Sequence, residues 1–316
     1  RSRYENWGNQ GFRVLGVGYK TIDKKIQYPL SDESNLIFIG FLLFFDPPKE
    51  DVVNTIKSLN QLGVQLKMIT GDNQFVAKHT ASMVGLNSTN ILTGKALMEL
   101  SNEEIYQVVD KVSIFCEVDP SQKERIIFAL KKRNHVVGYM GDGINDAPAL
   151  HISDVSISVD SAVDVAKEAA DFVLLEKDLS VLKRGIELGR TSFSNTLKYI
   201  YITTSANFGN MFSMAGASLI MPFLPLLPKQ ILLLNFITDF PALTLSNDSV
   251  DSEMITQPRR WDIKTIRNFM LVFGLISSLF DYLTFFVLLY IFKVNQSVFQ
   301  SSWFTLSIFT EIVVLL

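Results

Sequence analysis

Apolar residues are distributed unevenly along the chain, and this limits the folds that it can adopt more than any other feature. Residues 1–190 read as a mixed, soluble sequence, whereas residues 199–316 are mostly apolar and gather their charges in short blocks. A helix needs about 20 apolar residues to cross a bilayer. Three segments are long enough to span and lie at 199–219, 230–245 and 269–292, although the second is short and broken by a proline. A fourth segment, at 303–316, is cut short. We therefore expect an α-helical transmembrane domain in contact with a lipid bilayer.

Composition and charge exclude several classes of function. The chain has 316 residues and a formal net charge of -3, so no basic surface points to nucleic acid as a partner. Its one cysteine, Cys116, permits neither an internal disulfide nor a cysteine metal cluster. Basic residues gather in one loop of the apolar half, namely Arg259, Arg260, Lys264 and Arg267. The positive-inside rule places this loop in the cytosol, so we expect a multi-pass membrane protein with a cytosolic soluble half.

Strand-length apolar runs alternate with helical patterns in the first half of the chain. The runs lie at 36–45, 64–69, 112–116, 136–140 and 154–159, and the first is expected to be a buried strand. Between them, Pro47 opens a helix that Gly63 ends, and Ser121 with Glu124 forms a capping-box pattern. This alternation predicts a parallel α/β sheet, in which ligands bind at the carboxyl ends of the strands.

Two loops at such strand ends carry polar residues suited to phosphoryl transfer. Asp142 and Asp146 lie four apart in a glycine-flanked turn, and two close carboxylates repel each other unless a cation such as Mg²⁺ lies between them. Phosphoryl transfer also needs hydrogen-bond donors and a fixed lysine. Thr70 and Asn145 are the candidate donors, and Lys123 is the candidate lysine. A simple turn would explain the Thr70 loop alone, but the combination favours a catalytic site.

Three segments, MITGDN, VDPSQKERI and GDGINDAPAL, resemble the hinge and catalytic motifs of P-type ATPases, whose catalytic domain is haloacid-dehalogenase-like. The resemblance implies an α/β Rossmann-like haloacid-dehalogenase-type domain followed by an α-helical transmembrane domain. It also implies three parts. These are the end of a nucleotide-binding domain at 1–35, a phosphorylation domain lacking its phospho-aspartate strand at 36–180, and a stalk with transmembrane helices similar to the family's fifth to eighth at 181–316.

The resemblance assigns roles to individual residues and implies ATP and Mg²⁺ as cofactors. The family's lysine that matches Lys123 contacts the phosphoryl group, and the aspartate that matches Asp142 binds Mg²⁺. The family's catalytic and phosphate-contacting loops correspond to Thr70, Gly71, Asp72 and Asn145 in this chain. The family's nucleotide-contacting positions correspond to Arg13 and Asp72. One departure is Glu117, which stands where many relatives carry arginine.

Some motifs of the family do not occur in this chain. The phosphorylated aspartate lies in D-K-T-G-T, and Asp-Lys-Thr is not found in the sequence. Both ends look cut, so we expect a fragment whose partner is the missing N-terminal part of the same polypeptide. Alone, this fragment is not expected to hydrolyse ATP.

Polar residues within the apolar segments predict a path for a transported divalent cation. Asn207 and Asn210 share one helix face, and Asn235, Thr238 and Asp239 share another. Pro241 leaves the carbonyl of Ile237 without its donor, which adds an oxygen ligand beside the carboxylate. Two further carboxylates, Asp281 and Glu311, lie on the third and fourth segments. Bridging between helices remains an alternative for the asparagines and threonine, as does a structural hydrogen bond for Asp281.

The identity of the cation rests on resemblance. NFITDFP resembles the sixth helix of calcium-type pumps, but Asn210 stands where those pumps carry glutamate in the fifth. SANFGNMFS and ISSLFDYLTFF look closest to the magnesium-transporting class, found in bacterial or archaeal plasma membranes. The leading hypothesis is an ATP-driven magnesium pump. A calcium or proton pump, a soluble-type phosphatase fused to membrane helices, and a non-catalytic channel or regulator derived from a pump are the alternatives.

Overall fold

The computed structural model describes residues 2–22, 29, 33–49 and 51–315. The chain divides into two compact units, the first running as far as Arg184 and the second beginning at Gly185. Each unit has its own buried apolar core, and the two are described separately below.

The first unit begins with a helix and an antiparallel strand pair. Helix α1 (Ser2–Asn9) precedes strand β1 (Arg13–Tyr19), which pairs with β2 (Ile37–Phe44). The prediction that 36–45 forms a strand is confirmed, but the prediction that the strand is buried is wrong. All of its side chains except the Gly40 position are exposed, including Phe38 at 58% and Ile39 at 64%. Strand β2 lies in a two-stranded sheet with β1, and its side chains on both faces remain exposed within the described residues.

Two parallel three-stranded sheets follow, which confirms the predicted α/β architecture. The first sheet has the order β3-β5-β4 and consists of β3 (Met68–Ile69), β4 (Ile91–Thr93) and β5 (Ile114–Cys116). The second has the order β6-β7-β8 and consists of β6 (Gly138–Met140), β7 (Val155–Val159) and β8 (Phe172–Leu174). Met68 lies opposite Ile114 in the first sheet, and Gly138 lies opposite Val155 in the second. The strands are shorter than the apolar runs because those runs also supply the residues that lead into them.

Seven helices of the first unit connect and cover these strands. They are α2 (Val52–Gln61), α3 (Gln74–Met83), α4 (Gly94–Glu99), α5 (Asn102–Val108), α6 (Pro120–Lys132), α7 (Ala147–Ile152) and α8 (Asp164–Glu168). One apolar core receives side chains from both sheets and from α6, including the fully buried Phe115 and Ile126 together with Val159. The loops at the carboxyl ends of the strands are therefore held by a common core.

Helix α6 begins two residues earlier than the sequence predicts. Asp119, not Ser121, is the N-cap: its carboxylate accepts a hydrogen bond of 2.8 Å from the Gln122 amide, and the Gln122 side chain accepts one of 3.0 Å from the Asp119 amide. Pro120 decides this start because its fixed φ and missing N–H suit the first helical position. This cap fixes the turn that carries Lys123.

The second unit is helical. It comprises most of α9 (Leu179–Ile220), then α10 (Pro228–Ala242), a 3₁₀ turn (Leu243–Asn247), α11 (Ser252–Thr256), α12 (Ile263–Phe286), a π turn (Val287–Ile291) and α13 (Gln296–Leu315). The α-helix gives way to the 3₁₀ turn directly after Pro241. Phe285, Phe299 and Trp303 form the centre of its core.

Two of the described helices are long and apolar enough to cross a membrane. They span Ile263–Ile291, with a mean hydropathy of 2.0, and Gln296–Leu315, with a mean hydropathy of 1.4. They correspond to the third and fourth predicted segments. The first and second predicted segments, 199–219 and 230–245, form helices but do not meet the same criterion of length and composition. At 15 residues, α10 is about 22 Å long and shorter than the hydrocarbon core of a bilayer.

Candidate functional site

A buried carboxylate, Asp146, organises the loop that follows β6. Its Oδ2 accepts hydrogen bonds from the backbone amides of Asp142 (3.2 Å) and Gly143 (3.1 Å). Its Oδ1 accepts one of 2.7 Å from Lys123 Nζ and another of 2.7 Å from the hydroxyl of Tyr139. The side chain of Asp146 is only 12% exposed. Two backbone donors, a lysine and a phenol therefore converge on one carboxylate.

A glycine makes this close packing possible. A Cβ added at Gly141 would overlap the Cβ of Asp146, so any larger residue would force the loop apart. The backbone of Gly141 is also fixed to β7, because its amide donates to the Ile157 carbonyl (3.1 Å) and its carbonyl accepts from the Ser158 hydroxyl (2.9 Å). The Gly141-Asp142 turn is thus tied to the neighbouring strand.

The electrostatics of the loop keep Asp146 charged. Burial alone would raise its pKa, but the hydrogen bonds from Lys123, Tyr139 and the Gly143 amide outweigh burial and hold the pKa below its usual value. The pKa of Tyr139 is raised, chiefly by burial and then by its hydrogen bond to Asp146, so the phenol keeps its proton. Tyr139 is therefore the donor in this contact and Asp146 the acceptor.

Asp142 differs from Asp146 in that its carboxylate faces open space. Its side chain is 64% exposed and lies 3.4 Å from Lys177 Nζ. It lines a cavity of about 420 Å³ together with Thr70, Gly71 and Lys123. An exposed carboxylate beside a hydroxyl offers Mg²⁺ the hard oxygen ligands that it prefers. Within the described residues, no three acidic, histidine or cysteine side chains converge, so these residues give a cation only part of its shell.

Asp142 and Asp146, the predicted cation-binding pair, differ in their contacts. Both oxygens of Asp146 accept hydrogen bonds from protein donors. The positive charge next to Asp146 comes from Lys123. The sequence predicts a metal ion at this position. Both aspartates line the cavity, and Asp142 is the more exposed of the two.

The Thr70-Gly71-Asp72 loop reaches the same cavity from the first sheet. The Thr70 amide donates to the Phe115 carbonyl at 2.9 Å, which ties the loop to β5. The Thr70 hydroxyl and Asp72 exchange hydrogen bonds of 3.1 Å, and Arg13 on β1 forms an ion pair of 2.8 Å with Asp72. The structure therefore brings Arg13 to the nucleotide candidate Asp72. Asn145 lies exposed on the 3₁₀ turn Ile144–Asp146 and is not among the lining residues.

In the second unit, part of the predicted cation site comes together across three helices. The side-chain amide of Asn210 on α9 donates a hydrogen bond of 2.7 Å to Glu311 on α13. Thr238 on α10 lies against the same glutamate, and the charge of Asp239 acts on it. The hydroxyl of Thr238 also bonds to the Leu234 carbonyl at 3.0 Å. Amide, hydroxyl and carboxylate oxygens thus meet near Glu311.

The other predicted residues of the cation path have different contacts, although the charges of both Asp281 and Asp239 act on Glu311. Asp281 is buried, with its oxygens hydrogen-bonded to Ser213 (2.6 Å) and to Trp303 Nε1 (3.1 Å). Both contacts are structural hydrogen bonds between helices, the alternative that the sequence left open for it. The side chains of Asn207, Asn235 and Asp239 are exposed, and Asp239 lines a cavity of about 500 Å³ between α9 and α10.

Comparisons with known proteins agree with this arrangement. A family described as haloacid dehalogenase-like hydrolase matches residues 8–154, and one described as cation transporting ATPase, C-terminus, matches residues 223–316. The chain is 44% identical over 307 residues to a protein named magnesium-transporting ATPase, P-type 1, from Escherichia coli K12, covering 96% of this chain and 34% of the relative. The chain is therefore similar to P-type cation-transporting ATPases over almost its whole length.

Other proteins similar to this chain carry a different name. A calcium-transporting ATPase of Bacillus subtilis is 36% identical over 258 residues, which is 80% of this chain and 29% of that protein. Calcium-transporting ATPase 1 of Lactococcus lactis is 31% identical over 264 residues, 82% of this chain and 30% of that protein. The chain spans about a third of the length of the curated relatives that it matches.

Sequence reasoning missed two residues of the cavity, Tyr139 and Lys177. Tyr139 lies within an apolar strand and reads as a core residue, so nothing in the sequence distinguishes it from a phenylalanine. Lys177 follows β8, and its place just beyond the carboxyl end of a strand is the signal that could have identified it. Lys177 adds a second ammonium group next to Asp142.

Proposed function

We propose that this chain supplies the phosphoryl-transfer loops and part of the ion path of an ATP-driven pump that forms a phosphoenzyme and transports Mg²⁺. The observation that carries the proposal is the convergence of Lys123, Asp142 and Thr70 on one cavity. Each stands just beyond the carboxyl end of a different parallel strand or on the helix that follows it. This is where a doubly wound fold binds phosphate-bearing ligands.

The described residues divide the work of phosphoryl transfer. Lys123, held by Asp146, donates to the phosphoryl oxygens, while the Thr70 hydroxyl and the Gly71 amide orient the same group. Asp142 would hold Mg²⁺, which neutralises charge on the phosphoryl oxygens when bound. Arg13 and Asp72 contact the nucleotide of ATP. Asn145, although exposed, remains a proposed phosphate contact.

The cation is proposed to pass Asn210, Thr238, Asp239 and Glu311. Two carboxylates with amide and hydroxyl oxygens suit a hard divalent cation, and Mg²⁺ retains waters where protein ligands are few. Asn207 and Asn235 are proposed to contribute from the exposed faces of their helices. The name and 44% identity of the Escherichia coli relative favour Mg²⁺. Ca²⁺ is the second candidate, favoured by the paired carboxylates Asp239 and Glu311 and by relatives named calcium-transporting.

The test is ion transport by the full-length protein in sealed vesicles. ATP-dependent flux is measured for Mg²⁺ and, separately, for Ca²⁺, with the catalytic Mg²⁺ confined to the ATP side. We expect ATP-dependent Mg²⁺ movement that Asp239→Asn removes. Selective Ca²⁺ movement would overturn the magnesium assignment, and wild-type flux in Asp239→Asn would overturn the site.

The proposal extends to where the protein works. The pump is a multi-pass protein of a bacterial or archaeal plasma membrane, with the first unit in the cytosol. The chain described here, expressed alone, is expected to show no ATP hydrolysis, because Asp-Lys-Thr does not occur in it. ATPase activity above that of a Lys123→Ala control would contradict this expectation.

A further inference from the structure

Two proton donors share one oxygen of Asp146. Lys123 Nζ and the Tyr139 hydroxyl each lie 2.7 Å from Oδ1, while Oδ2 is occupied by two backbone amides. Tyr139 is 7% exposed and Lys123 is 14% exposed at its side chain. The contact therefore lies where water competes poorly for the carboxylate.

This sharing matters because Lys123 is proposed to bond both to Asp146 and to the phosphoryl group. To donate to a phosphoryl oxygen in the cavity, the Lys123 ammonium must weaken or lose its bond to Asp146. A buried carboxylate that loses its charged partner is strongly destabilised, and one that loses every donor on an oxygen costs still more. The two amides cannot compensate, because they are fixed on Oδ2 by the turn itself.

We propose that Tyr139 is a positioning residue for Lys123, whose hydroxyl keeps Oδ1 of Asp146 hydrogen-bonded while the lysine turns its ammonium to the phosphoryl group. The proposal rests on the phosphoryl-contacting role given to Lys123 above. In this proposal Tyr139 acts on Lys123 through Asp146, not directly on the phosphoryl group. It acts by lowering the free-energy cost of redirecting the lysine.

The fold makes use of the Tyr139 ring rather than of its hydroxyl. Its ring packs in the core between β6 and α6, where phenylalanine would fill the same space. Removing the hydroxyl leaves Asp146 with Lys123 as the only donor on Oδ1, so the ion pair tightens and the lysine is held back. A structural role alone would lower stability without changing the rate of phosphoryl transfer selectively.

The test is Tyr139→Phe in the full-length pump, with rapid-quench measurement of phosphoenzyme formation from ATP. We expect the rate at saturating ATP to fall by about tenfold, the size of one hydrogen bond to a charged group. The ATP concentration for half-maximal rate should stay within about twofold, since nucleotide contacts lie elsewhere. Tyr106→Phe is the matched control, because Tyr106 is a half-buried tyrosine packed against the same core.

A second background separates positioning from structure. The Lys123→Arg variant places a guanidinium in a different position from the lysine ammonium. In that background, Tyr139→Phe should change the logarithm of the phosphorylation rate by less than about half of the change that it causes in the wild type. A wild-type rate in Tyr139→Phe, an equal loss in both backgrounds, or lost nucleotide binding would each overturn the proposal. If the Lys123→Ala variant formed phosphoenzyme at the wild-type rate, the proposed function itself would be overturned. The two failures are therefore distinguishable.

Discussion

Asn210 and Glu311, 101 residues apart in sequence, are joined by a hydrogen bond of 2.7 Å between their side chains. The bond joins α9 to α13. Thr238 on α10 also hydrogen-bonds to Glu311. Glu311 therefore links three helices through side chains that the sequence predicts to lie on the cation path.

Glu311→Gln is expected to remove cation-stimulated ATPase activity in the full-length pump. The change keeps the size of the side chain but removes the charge that would bind the cation. Phosphorylation backward from inorganic phosphate should persist, because that step does not need a loaded transport site. Glu253→Gln, on the exposed side of α11, is the control. Undiminished stimulation in Glu311→Gln would remove this residue from the cation path.

Asp142→Asn is expected to abolish phosphoenzyme formation from ATP while leaving expression intact. The exposed carboxylate has one ionic contact, at 3.4 Å to Lys177, so its loss costs little stability. Acid-stable incorporation of phosphate is the measurement. Asp164→Asn, a similarly exposed acid on α8, should phosphorylate normally. Normal phosphate incorporation in Asp142→Asn would refute the Mg²⁺ role.

Lys123→Ala is expected to lower phosphoryl transfer by at least about a hundredfold, as for loss of one preorganised donor. It should also lower the melting temperature, because the side chain is 14% exposed and its loss leaves Asp146 with fewer donors. Lys132→Ala, at the exposed end of the same helix, is the control for helix stability. The assignment fails if ATPase activity stays within about twofold of the wild type.

Gly141→Ala is expected to abolish phosphoenzyme formation and destabilise the first unit, because the new methyl group would overlap Asp146. Gly138→Ala, in the strand that precedes Gly141, is the control, since the nearest atom to its added Cβ is the Val155 carbonyl oxygen at 3.9 Å. Thermal unfolding and phosphate incorporation are compared for both variants. Equal behaviour of the two would show that the Asp146 turn adapts without loss.

The loops that line the cavity were predictable because each lies just after a strand of the parallel sheets. Thr70, Asp142 and Lys123 each follow a strand, and parallel strands bring their carboxyl ends to one edge. Tyr139 was not predictable, since its contact with Asp146 depends on how a 3₁₀ turn folds back over the strand before it. The capping register of α6 was also mistaken, although Pro120 carried the correct signal.

The membrane half was predictable in its polar residues but less so in their partners. Helical spacing places Asn207 and Asn210 on one face, yet only Asn210 meets Glu311, while Asn207 is exposed. A separation of three residues leaves a difference in direction of about 60° around the axis. Such a difference is enough to decide which of two neighbours reaches an adjacent helix, and only the packing of that helix reveals it.

Strand β2 has a consequence for how such a chain must be handled in the cell and in the laboratory. Its apolar side chains are exposed on both faces within the described part of the chain, as in Phe38 and Ile39. An uncovered apolar strand is a template for self-association. We therefore expect the isolated chain to aggregate through this segment during expression, and to stay monodisperse only when detergent or a fusion partner shields it.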